Sequence, residues 1–157
     1  TNCDTYENFP PGIFKAMPPL AKLPGGMTLL SLPFRSGAVA RAAFKPFTQK
    51  PIPAELIASW MAPGMNDSGV RHDLRKVTVG MNKRHTLEAA EKLRGSQLPI
   101  LLAWAPGDKL FPISGAERLA ADAGNARIVQ IPNANTFVSL DQPQRLSEEI
   151  AEFTATA

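Results

Sequence analysis

The chain has 157 residues, 44% of them apolar and 20% charged, with a formal net charge of +3. That is about one domain's length, and the composition excludes wholesale disorder. No stretch approaches the ~18 consecutive apolar residues of a membrane span. A single cysteine, Cys3, excludes an internal disulfide and a multi-thiolate zinc site.

His72 and His85 lie too far apart for a local metal motif, so neither a metal nor a cofactor is expected. Residues 1–97 carry 13 Lys/Arg against 7 Asp/Glu, whereas residues 98–157 carry 4 against 7. The basic residues are scattered singly and Tyr6 is the only tyrosine, which argues against a nucleic-acid surface and for solvated helix faces. The chain opens Thr1-Asn2-Cys3-Asp4 without a signal-like apolar run, and the expected compartment is the cytoplasm.

Ten of the 15 prolines fall within residues 1–63. Residues 1–33, punctuated by Pro10-Pro11, Pro18-Pro19 and Pro24-Gly25-Gly26, predict irregular backbone with short helical pieces. Ser36 is a candidate N-cap for a helix ending near Pro46. A second helix begins after Pro53, with Leu56, Ile57, Trp60 and Met61 on its apolar face, and is expected to end at Pro63-Gly64. A third covers about 68–81, with Val70, Leu74, Val77 and Met81 as its stripe. A fourth covers about 83–94 and stops at Gly95.

The pattern changes at Leu98. Residues 98–105, LPILLAWA, form an apolar run of strand length, expected of a strand covered on both faces. A polar loop with Asp108 follows. Ser114 and Glu117 predict a capping box for a helix over 115–123, closed by Gly124. A second strand is expected over 126–131, and then a last helix capped by Asp141 with Pro143 in its first turn. Two consecutive strand–helix units imply neighbouring parallel strands with helices on their faces. The expected fold class is α/β, with a sheet that two strands leave incomplete.

The stretch PILLAWAPGDKLFP over 99–112, then Ala116-Glu117-Arg118-Leu119-Ala120, NARIVQIP over 125–132 and FVSLDQPQRL over 137–146 resemble the α/β-hydrolases. The resemblance is to the branch of haloalkane dehalogenases, epoxide hydrolases and related esterases. It implies three parts: a loop after a missing strand (1–9), a helical cap (10–97) and the carboxyl-terminal part of the hydrolase core (98–157). The start at Thr1 is then expected to lie within a larger catalytic domain.

The resemblance places Asp108 at the family's triad acid, just past the carboxyl end of a buried strand, where a carboxylate orients an imidazole. Without it, a Pro-Gly-Asp turn accounts for the same residue. The family's histidine position holds Thr136, which accepts no proton near neutral pH but can hydrogen-bond a substrate or Asp108. His85 and His72 are the remaining candidate bases, and Asp4 is a reserve acid where some relatives carry theirs. No nucleophile turn of the Gly-x-Ser-x-Gly or Gly-x-Asp-x-Gly type occurs.

Phe14, Phe34, Trp60, Met61, Phe111 and Phe137 are candidates to line a pocket for a small apolar substrate, or else to pack helices on their support. The resulting expectation is hydrolysis of a small apolar ester, epoxide or halide once a nucleophile-bearing half completes the site. The alternative is a non-catalytic relative that binds a ligand or partner chain. Open strand edges lead to an expectation of self-association or of a complementary amino-terminal half; no nucleic-acid or membrane partner is expected.

Overall fold

A computed structural model describes residues 1–156. The chain forms two compact units, one comprising Thr1–Pro11, Phe47–Lys50 and Asn82–Ala157, the other Gly12–Pro46 and Pro51–Met81.

The first unit holds the sheet. Strand β1 (Ile100–Trp104) pairs in parallel with β2 (Ala126–Gln130), from Ile100 opposite Ala126 to Trp104 opposite Gln130. Side chains of a strand alternate between faces, and here that alternation builds two layers. Leu102 and Trp104 pack with Phe111 and Ala116, against Ile113 and Leu119 of the connecting helix (Ile113–Ala123). Ala103 and Ala105 face the other way, onto Ile131, Ala134 and Val138, with Leu146 of the last helix (Pro143–Thr156) behind them. Both faces are covered, which is why the strand reads as an unbroken apolar run.

Trp104 is fully buried, and its indole N–H donates to the Phe111 carbonyl at 2.9 Å. Its truncation to alanine is expected to cost about 3–5 kcal/mol. Across the second strand, Arg127 pairs with Glu152 at 2.8 Å, and the buried Glu149 meets both Arg127 and Arg145.

The segment 82–97 also belongs to this unit. Its helix (Lys83–Leu93) starts at Asn82, whose side chain accepts the Arg84 N–H. The helix packs beside Ile113–Ala123 and ends near Gly95, whose N–H donates to the Asp122 carbonyl.

The second unit is helical. Numbered in chain order, it contains α1 (Met17–Lys22), α2 (Gly26–Ser31), α3 (Gly37–Phe44), α4 (Ala54–Asn66) and α5 (Ser68–Gly80). The turn between α1 and α2 requires its glycines. Gly25 has φ +71°, and a Cβ on Gly26 would fall 1.9 Å from the Leu20 carbonyl oxygen. Ser36 caps α3 through the Val39 N–H, as its type predicts. Asp67 caps α5 through Gly69 and Val70. Ile57 is buried, and Phe44 meets Trp60 edge-to-face at 5.6 Å.

Several local expectations change. The helix expected to stop at Pro63 runs on to Asn66, because a proline removes one N–H yet leaves later bonds such as Asp67 N–H to the Pro63 carbonyl intact. The helix expected from 115 begins at Ile113, with Pro112 as its extended N-cap, so Ser114 lies inside the first turn and makes no capping box. On α5, Val77 is 64% and Leu74 is 44% exposed. Thr78 is buried there instead, its hydroxyl satisfied by the Leu74 carbonyl.

Candidate active site

Asp108 lies in the loop just after β1, and its side chain is buried. Oδ1 accepts the N–H groups of Leu110 at 2.7 Å and Phe111 at 3.2 Å, so the Pro-Gly-Asp turn closes on its own carboxylate. Oδ2 accepts from the Asn2 amide nitrogen at 2.9 Å. That Asn2 carboxamide also takes the Ala105 N–H at 2.7 Å and donates to the Ala105 carbonyl at 3.2 Å. Within a strand, successive residues point their polar groups to opposite sides. The Trp104 carbonyl faces β2 by bonding Ile131, so Asn2 meets Ala105 at the edge β2 does not occupy and pairs as a neighbouring strand's backbone would.

No local sequence pattern marks Asn2, whose partners lie 103 and 106 residues away. Asp141, expected as the cap of the last helix, likewise takes partners distant in sequence. It is fully buried at the end of the short helix Val138–Asp141 and does not cap the last helix. Its carboxylate accepts N–H groups from Gln49 at 2.9 Å, Lys50 at 3.0 Å and Asn135 at 3.0 Å. Lys50 Nζ donates to the Asp141 carbonyl at 2.6 Å. Together with the Phe137 N–H to Phe47 carbonyl bond and the stacked Phe47 and Phe137 rings, these contacts fasten 47–50 to the loop after β2.

Thr136 sits in that fastened loop. Its Oγ1 is buried without a hydrogen-bond partner, so of the two bonds open to it, to a substrate or to Asp108, the one to Asp108 is not formed. Asp4 Oδ1 is likewise buried and unpartnered, and burial pushes its carboxyl above the usual carboxylate range.

His85 is exposed on the helix Lys83–Leu93, and His72 is exposed on α5 of the helical unit; neither is among the partners of Asp108. The candidate pocket residues divide between the units. Phe14, Phe34, Trp60 and Met61 belong to the helical one, whereas Phe111 packs with Trp104 in the sheet core and Phe137 stacks on Phe47. Among the described residues, no group of three or more His, Cys, Asp or Glu could hold a metal ion, and no helix is long and apolar enough to cross a membrane.

The first unit thus carries a parallel strand pair with helices on both faces and a buried carboxylate past a strand's carboxyl end. No family model matches the chain. It is 32% identical over 63 residues to an uncharacterised hydrolase of Bacillus subtilis, covering 40% of this chain and 23% of that protein. Its fold matches an α/β hydrolase fold protein from Burkholderia ambifaria with TM-score 0.64 and 18% identity, over 88% of this chain and 48% of the other. A haloalkane dehalogenase of Agrobacterium tumefaciens gives TM-score 0.67 at 18% identity, over 92% and 52%. A 2-hydroxy-6-oxo-6-phenylhexa-2,4-dienoate hydrolase of Rhodococcus gives 0.65 at 16%, over 88% and 50%. The chain therefore has the α/β-hydrolase fold and spans about half the length of these solved structures.

Proposed function

We propose that this chain forms the acid-bearing part of an α/β-fold hydrolase, which cleaves a small apolar ester, epoxide or halide once a nucleophile-bearing segment completes its sheet. The observation that carries the reading is Asp108, a buried carboxylate held just past the end of β1 by Asn2 and two backbone N–H groups. A carboxylate so fixed orients an imidazole and stabilises the imidazolium formed when a nucleophile or water is activated. Thr136 exchanges no proton near neutral pH, so the imidazole has to come from another position.

A second reading is favoured by one observation. Thr136, which the resemblance sets at the family's histidine position, has its Oγ1 buried and unpartnered. A relative that had given up hydrolysis would bind a ligand or partner chain through the same fold.

The test compares p-nitrophenyl acetate, an epoxide and a haloalkane as substrates, for the chain alone and for the chain co-expressed with a nucleophile-bearing partner segment. The hydrolase reading expects no turnover above buffer by the chain alone. It expects turnover on complementation, lowered by about 10²-fold or more in Asp108→Asn. Complemented turnover that Asp108→Asn leaves unchanged overturns it. Stable complementation with ligand binding and no turnover selects the second reading.

A further inference from the structure

The helical unit carries eight Lys/Arg against three Asp/Glu, and three of its arginines are divided over the linings of two cavities that share Arg71 and Thr28. The larger, about 380 Å³, is lined by Arg71, His72 and Arg75 of α5 together with Leu23, Pro24 and Met27. The smaller, about 110 Å³, shares Arg71 and Thr28 with it and adds Arg35 and Ser31. No carboxylate lines either cavity. Asp67 is occupied in capping α5, and Asp73 pairs with Lys76 at 3.5 Å.

The arginines are placed by neutral groups. Arg71 Nη1 donates to the Gly64 and Met65 carbonyls at the end of α4, at 3.2 and 2.9 Å. Arg75 Nη2 reaches the Lys22 carbonyl at 3.3 Å. A guanidinium has five donors, so each keeps most of its fork, and the bonds described for both go to carbonyl oxygens.

We propose that this concavity binds an organic phosphate monoester. Arg71 and Arg75 at the larger cavity, with Arg35 beside Arg71 at the smaller, offer guanidinium groups without compensating carboxylates to a dianion, and planar forks match phosphate oxygens two at a time. The Thr28 and Ser68 hydroxyls supply further donors. The wall of Leu23, Pro24 and Met27 receives an apolar body, and the larger cavity's volume suits a small organic ligand rather than a bare ion. The site lies wholly within the helical unit and does not depend on the hydrolase reading.

The test titrates the full chain by calorimetry at low salt with phenyl phosphate, inorganic phosphate and phenylacetate. Phenyl phosphate is expected to bind more tightly than either of the others, and more weakly as salt rises. Arg35→Gln and Arg75→Gln are each expected to weaken it about tenfold, the loss of one charge-assisted contact, with unchanged circular dichroism. Arg35 is exposed and makes no ion pair among the described residues, so its replacement keeps the test clear of misfolding. Absence of phenyl phosphate binding up to about 10 mM, or an affinity that neither variant alters, overturns the proposal. So does capture of the chain by phosphatidic acid vesicles without binding of the free ester.

Discussion

Asn2 and Ala105 are paired through both polar groups of one peptide residue. The Asn2 carboxamide accepts the Ala105 N–H at 2.7 Å and donates to its carbonyl at 3.2 Å, while the same nitrogen donates to Asp108 at 2.9 Å. One side chain thus closes the end of β1 and orients the candidate acid.

Asn2→Ala leaves the buried Ala105 N–H and one Asp108 oxygen without these partners. The expected loss is about 2–4 kcal/mol in urea denaturation, since orphaned buried groups cost about 1–3 kcal/mol each. Asn2→Asp keeps an acceptor for Ala105 but sets a second carboxylate against Asp108. Its stability is expected to fall as pH rises through the carboxylate range, where the wild type has no such repulsion. A wild-type midpoint in Asn2→Ala would show the bonds to be dispensable.

Asp141 gathers three backbone N–H groups on one buried carboxylate. Asp141→Ala is expected to cost about 3–5 kcal/mol, because charged hydrogen bonds contribute about 1.5–3 kcal/mol each and are not additive. Asp141→Asn retains an oxygen and is expected to lose less. Hydrogen exchange should show faster exchange at Gln49, Lys50 and Asn135 in both variants. Protection unchanged at all three amides would contradict the assigned bonds.

Thr136→Val removes the buried Oγ1 that finds no partner, at nearly the same side-chain size. Where no bond is lost, burial of a polar atom is relieved, and stability is expected to rise by about 1 kcal/mol. Thermal denaturation reads the sign. A clear decrease means that the hydroxyl does have a partner in solution.

Tyr6 is buried, donates to Asp122 Oδ2 at 2.8 Å and lies under the Arg118 guanidinium at 3.7 Å. Burial first, then the Asp122 hydrogen bond and charge, push its phenol up to about 12. A raised value in the folded state means that the protonated phenol stabilises below the ordinary value near 10, and that this stabilisation is lost as pH climbs towards 12. Melting curves over that window should fall more steeply for the wild type than for Tyr6→Phe. As the chain has one tyrosine, phenolate absorbance reports Tyr6 alone. An ordinary midpoint near 10 would remove the effect.

Much of the first unit was legible from residue order. An apolar run, a turn with Asp108 and a second short strand predict adjacent parallel strands, and the structure pairs Ile100–Trp104 with Ala126–Gln130. Local chemistry also sufficed for Ser36, whose hydroxyl caps α3 within three residues. It failed at Asp141 and Ser114, where a capping residue type stands at a plausible helix start. Nearby in sequence, either can satisfy a helix. In space, Asp141 meets stronger claims from Gln49 and Lys50, and Pro112 starts the next helix before Ser114 can cap it.

Hydrophobic periodicity and turn chemistry are short-range, so the sequence by itself determined the strand–helix order, the two-sided burial of β1 and the position of Asp108 at its end. Long-range pairing is decided by which groups the folded backbone brings together. Only the tertiary structure could therefore join Asn2 to Ala105 and Asp108, bind 47–50 to Asp141, and set Arg71 and Arg75 on one cavity with Arg35 and Arg71 on the next.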